Sequence, residues 1–276
     1  MTREPDKEKD DDEESKGPPR GFAVGAYGLA LFLACRLLEI FLEAQATASA
    51  VGQAVLVEWA SSRLGIAWTD PAREQTRMEV ARRAGLGVAA GAGAALVLVI
   101  VLAASHGASF ESVANVAVSV IVIGLITAGL HAWRDELLLH GIVLRALGLF
   151  DPGDQSGRPH DLLRVVACGA TSAGAALGRS DANARSVIVA ALLGMLFGAL
   201  WVRDRGAWMP WGAHAAFRFT TDTLIAGGIT QIRPAAGAWS GGDLGLFSGT
   251  AAAVALAPVA LLAVAAIVRR ISPDSA

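Results

Sequence analysis

The feature that most constrains this chain is the uneven placement of its charges. Residues 1–20 hold eight acidic and five basic side chains, which leaves 17 acids and 18 bases for the other 256 positions. Hydrophobic residues make up 54% of the chain and charged residues 17%, against about a quarter charged in a soluble globular domain. A body so poor in charge cannot cover itself with an ordinary aqueous surface. It reads as a polytopic membrane protein carrying a short polar tail.

Spanning a hydrocarbon core takes about 20 apolar residues in helical form, and the sequence offers a series of such runs. They lie at 21–42, 44–68 (weakened by Glu58 and Arg63), 84–104, 112–133, 165–178, 186–202, 206–225 and 244–268. The 165–178 run is short and rich in small residues, which suits packing inside a bundle. Strand alternation and heptads are absent. The expected fold is an all-α membrane helix bundle of about seven or eight helices, spanning 21–276. Residues 1–20, charge-dense and ending in Gly-Pro-Pro-Arg, have almost nothing apolar to bury, so a disordered acidic N-terminal tail is expected. Bases flank the runs at Lys16 and Arg20, at Arg73, Arg77, Arg82 and Arg83, and at Arg269 and Arg270. The positive-inside tendency then places both termini and the 69–83 loop on the cytoplasmic side. The first apolar run follows an acidic leader and lacks an A-x-A site, so it reads as a retained helix and not as a cleaved signal peptide.

Several functions are disfavoured. A net charge of −2 with no basic stripe gives no electrostatic footprint for nucleic acid. Two cysteines, Cys35 and Cys168, are too few for a disulfide framework or a thiolate zinc site. A transporter would call for paired repeats and matching broken helices, and neither is visible.

Ionisable groups inside apolar runs are expensive and therefore mark candidate sites. The densest cluster, Arg134-Asp135-Glu136-Leu-Leu-Leu-His140, begins where a long apolar run ends. On a helix Glu136 and His140 share a face one turn apart, with Asp135 offset by about 100°. Adjacent carboxylates next to an apolar bundle repel one another and lose hydration, the usual way of preparing a carboxyl group for proton transfer. The alternative for Asp135 is a simple helix N-terminus. A second pair, His214 and Arg218, is again spaced by four, with Trp211 nearby. Phe197 and Trp201 form a third same-face pair, which alone would be packing.

In order, these patches resemble the CPBP superfamily of intramembrane proteases, which includes the CAAX-processing endopeptidases. That family carries Glu-Glu-x-x-x-Arg, then Phe-x-x-x-His, then His-x-x-x-Asn on successive membrane helices. Residues 135–147 are similar to the first motif, 196–201 to the second, 206–219 to the third with its Trp-x-Pro approach, and the turn beginning at Ser240 to a glycine-rich turn of the family. The resemblance covers about 110–265, the expected protease-like core. It implies an integral membrane endopeptidase, in bacteria an inner-membrane enzyme. The implied partners are membrane lipid and the hydrophobic C-terminal tail of a substrate protein, as in the myxosortase group. Departures fall on key positions: Asp135 replaces the first acid, His140 the arginine, Trp201 the second-motif histidine and Arg218 the asparagine, while Glu136 and His214 are kept.

Two chemistries follow from the resemblance. In one, Glu136 or Asp135 is the base that activates water, His140 supplies the imidazole missing at Trp201, and His214 with Arg218 stabilises the oxyanion. No cofactor is expected, although zinc on Glu136, His140 and His214 is chemically allowed. In the other, Arg218 forms a buried ion pair with Asp135 or Glu136, and the chain is an inactive pseudoprotease that binds membrane segments or assists another protease.

Overall fold

The computed structural model describes residues 20–66, 68–69, 76–149 and 158–270. The charged tail, expected to be disordered, lies outside the described residues, of which Arg20 is the first. Each of the eight apolar runs is the core of a helix. The helices are α1 (Arg20–Phe41), α2 (Ala46–Arg63), α3 (Arg77–Ala104), α4 (Val118–Asp135), the short α5 (Ile142–Ala146), α6 (Arg158–Leu177), α7 (Ala184–Asp204), α8 (Trp208–Arg218) and α9 (Thr250–Arg270). A π-helical turn, Glu136–Gly141, joins α4 to α5 in one continuous rod, and a second π turn, Phe219–Leu224, extends α8. Five helical stretches among the described residues are long and apolar enough to cross a membrane: Gly21–Phe41, Arg77–Ala104, Val118–Ala146, Ala184–Asp204 and Thr250–Arg269. Leu29, Leu33, Leu37 and Ile40 on α1, and Val122, Ile123, Leu125 and Ile126 on α4, point outward. Helices whose outer faces are this apolar are solvated by lipid, not water.

Local chemistry sets where the helices begin. The Thr76 side chain accepts from the Glu79 amide at the start of α3, with Glu79 favouring the positive end of the helix. At α7, Asn183 accepts from the Arg185 and Ser186 amides while Ser186 bonds back to the Asn183 amide, a reciprocal capping box.

Small residues let the helices meet. A Cβ on Gly87 or Gly91 of α3 would overlap the backbone of Met209 or Ala213 on α8. A Cβ on Gly194 of α7 would collide with Ser172 and with the Cys168 carbonyl on α6. With no hydrophobic drive between helices in lipid, such close backbone approach supplies much of the cohesion. α7 runs between two apolar clusters: Trp201 packs with Val57, Leu137 and Leu144, while Phe197 packs with Leu98, Ala213 and Leu256.

The absence of strands expected from the sequence is corrected at one place. β1 (Ala108–Ser112) pairs antiparallel with β2 (Thr230–Pro234), Phe110 opposite Ile232. Consequently the fourth run enters its helix at Val118, later than the apolar pattern alone suggests. Two five-residue strands on the rim bury too little for alternation to register; β1 is exposed along most of its length.

Candidate active site

Glu136 is the first residue of the π turn after α4, in the middle of the bundle and without solvent exposure. Such turns are rare and frequent at functional sites, because the extra residue re-aims side chains while the rod continues. Three N–H donors from three helical elements converge on this one carboxylate. His140 Nδ1 lies 3.0 Å from Oε2, the Trp201 indole donates to the same oxygen at 2.7 Å, and His214 Nδ1 lies 2.8 Å from Oε1. Phe197 stacks on the His214 ring with centroids 4.4 Å apart and planes 14° from parallel, which fixes that imidazole from its other face. Trp201 and His140 thus share one oxygen of Glu136.

Asp135 turns to a different set of partners. Arg134 Nε donates to its Oδ1 at 2.7 Å and Arg218 to its Oδ2 at 3.0 Å, with His214 Nε2 3.9 Å away. Arg218 also bonds Asp222 at 3.2 Å. Arg134 continues inward to Gln53 of α2 and Glu39 of α1, at 2.5 and 3.2 Å. The two adjacent carboxylates are therefore separated functionally: Asp135 is neutralised by two guanidinium groups, and Glu136 is held by two imidazoles and an indole.

A cavity of about 450 Å3 opens beside these groups, with Asp135, His140, Ser172, His214 and Arg218 in its wall. Glu136 stands behind His140 and His214, not in the wall itself. A second cavity of about 460 Å3 shares His214 and Arg218 and runs toward Phe247. A third, of about 480 Å3, is walled almost wholly by apolar groups of α1, the α4–α5 rod and α6, and shares Phe32, Leu138 and Leu139 with the first. At the rim, Arg179 grips Asp181 through two bonds of 2.9 and 3.0 Å, which lowers the Asp181 carboxyl below its ordinary pKa.

All five residues singled out from the sequence meet here. The residues missed are those whose partners come from distant helices: Gln53 and Glu39, which anchor Arg134, and Ser172, whose Oγ is 3.2 Å from His140 Nε2. No sequence signal marks Ser172, one serine in a run of Ala, Gly and Thr. Among the described residues no group of three His, Cys, Asp or Glu side chains is placed to hold a metal ion. The two imidazoles each bond a different oxygen of Glu136, so the three groups that the sequence allows but does not expect as a zinc set are arranged as a hydrogen-bonded chain.

Fold and site together define a helical membrane bundle that encloses a polar, imidazole-lined cleft. Residues 117–220, from the start of α4 into the π turn after α8, match the family model of the type II CAAX prenyl endopeptidase Rce1-like proteins, a CPBP protease family. No curated protein and no solved structure gave a match. The chain is accordingly an integral membrane protein with an endopeptidase-like domain.

Proposed function

We propose that the protein is an intramembrane endopeptidase that cuts the apolar C-terminal region of membrane or surface-sorted proteins, as the myxosortase-like resemblance suggests, in a bacterial inner membrane with both termini cytoplasmic. The observation that carries this reading is the Glu136 carboxylate with an imidazole on each oxygen, His140 at 3.0 Å and His214 at 2.8 Å, both facing the cleft. An imidazole backed by a carboxylate accepts a proton readily, because the imidazolium that forms is stabilised in place. Glu136 acts through the two rings, and Arg218 with His214 supplies positive charge where a carbonyl oxygen becomes an oxyanion. The apolar cavity that adjoins the cleft suits the aliphatic side chains of a membrane tail.

The test is comparative membrane proteomics of a deletion strain complemented with wild type or with Glu136→Gln, reading protein C-termini. A set of proteins that keep their hydrophobic tails both in the deletion and with Glu136→Gln is the expected result. Rescue by Glu136→Gln favours the second reading, an inactive accessory to another protease. The Arg218–Asp135 ion pair at 3.0 Å supports that reading, since such pairs specify structure without catalysis.

Catalysis is proposed to need no metal. Tail processing in isolated membranes is expected to proceed at an unchanged rate after chelation; loss on chelation with recovery on added zinc is the opposite outcome.

A further inference from the structure

Ser172, on the second turn from the end of α6, makes a cross-helix bond that no motif of the family resemblance contains. Its Oγ lies 3.2 Å from His140 Nε2, and the other ring nitrogen, Nδ1, lies 3.0 Å from Glu136 Oε2. Glu136 Oε2 is held from its far side by the Trp201 indole at 2.7 Å. A carboxylate acceptor on Nδ1 favours the tautomer that carries its proton there, which leaves Nε2 as a lone pair aimed at the hydroxyl. Hydroxyl, base and orienting carboxylate then stand in a line with both links at hydrogen-bond distance, the arrangement that defines an activated serine whatever the fold.

Accessibility agrees with that order. Glu136 and His140 are 0% and 1% exposed, whereas Ser172 is half-buried and lines the cleft beside His214 and Arg218. The space for its side chain exists because residue 194 on the facing helix is glycine, where a Cβ would overlap the Ser172 hydroxyl. We infer that Ser172 is a nucleophile, with His140 as its general base and Glu136 as the group that orients His140. This rests on the reading of the site as a hydrolase and changes its first step from attack by water to attack by serine.

The Ser172 hydroxyl proton passes to His140 Nε2 as Oγ bonds to the substrate carbonyl carbon. When the tetrahedral adduct collapses, the C–N bond breaks and the amine leaves with that proton, giving an ester on Ser172. Water then attacks the ester carbonyl, loses a proton to His140, and the C–Oγ bond breaks with the proton returned to Ser172. His214 and Arg218, on the same cavity wall, face the oxyanion of both adducts.

A biotinylated fluorophosphonate tests this on the full-length protein in native membranes, since Oγ attack on phosphorus expels fluoride and leaves a stable adduct. Peptide mapping of the wild type is expected to find the label on Ser172, with labelling slowed at least about 100-fold by His140→Ala. An unlabelled Ser172 overturns the inference, and because the map is made on the wild type this holds even if Ser172→Ala does not fold. The C-terminal proteomics separates the two readings. Labelled Ser172 with unchanged C-termini keeps the nucleophile and discards tail processing. Unlabelled Ser172 with tail processing that depends on Glu136 keeps the protease and returns the attack to water. A purely structural serine predicts neither the label nor its dependence on His140.

Discussion

Replacing Arg134 with methionine is expected to lower the unfolding free energy by about 3 kcal/mol, the low end of the cost of stripping one member from a buried ion pair. The guanidinium is the junction of three helices: it bonds Asp135 on its own rod at 2.7 Å, Glu39 on α1 at 3.2 Å and Gln53 on α2 at 2.5 Å. Its side chain is 15% exposed, so the loss is felt mostly in a low-dielectric setting. Methionine fills much of the volume but leaves Gln53, 1% exposed, without its donor and the Asp135 charge resting on Arg218 alone among the arginines that bond it. Asp135→Asn in the same protein removes the surplus charge and is expected to recover a large part of the loss. A double-mutant cycle on these two positions, read by thermal unfolding in detergent, measures the coupling. Arg218→Ala is expected to cost less, because its side chain is 27% exposed and Asp135 keeps Arg134. Equal losses from Arg134→Met and Arg218→Ala contradict this distribution of the charge.

The bundle was legible because lipid imposes a simple code: each span has to be apolar for its whole length, so the eight runs map onto eight helices with only their ends displaced. Polar residues stand out against that background, which is why Asp135, Glu136, His140, His214 and Arg218 were found. Their division of labour was not legible. The spacing of Glu136 and His140 identified one contact, but nothing local shows that the Trp201 indole reaches the same carboxylate oxygen from α7, 65 positions along the chain. Reading Trp201 as the loss of a histidine captures what the residue cannot do and misses what its N–H does. Arg134 sits within the motif, yet its partners Glu39 and Gln53 lie in runs where one polar residue resembles an ordinary interruption. Ser172 carries even less signal, since serine is common between packed membrane helices, and only α6 lying against the α4–α5 rod brings it to His140. The ribbon of β1 and β2 escaped for the opposite reason: it lies outside the apolar runs, where the lipid code does not apply.

Glu136→Gln is expected to reduce peptide hydrolysis by about 10^2- to 10^4-fold, the range that a positioned general base contributes, while the protein still folds. The amide oxygen can stay on the side of Trp201 and His140 and accept from both, and the amide nitrogen then faces His214. That ring adapts by taking the tautomer with an accepting Nδ1, so the three bonds of 2.7 to 3.0 Å survive in kind. Lost is the negative charge beside two imidazoles in a site without solvent, and with it the stabilisation of the imidazolium formed when His140 takes a proton. Glu136→Leu separates the two roles. It removes the acceptor that His140, Trp201 and His214 share, at about 1–3 kcal/mol for each hydrogen bond lost in the interior, and little folded protein is expected in detergent. A folded but inactive Glu136→Gln beside an unstable Glu136→Leu places the carboxylate in both structure and chemistry. Equal activity of Glu136→Gln and wild type, with Glu136→Leu unstable, assigns it to structure alone, and the chain then belongs with the binding-only reading that the Arg218–Asp135 pair supports.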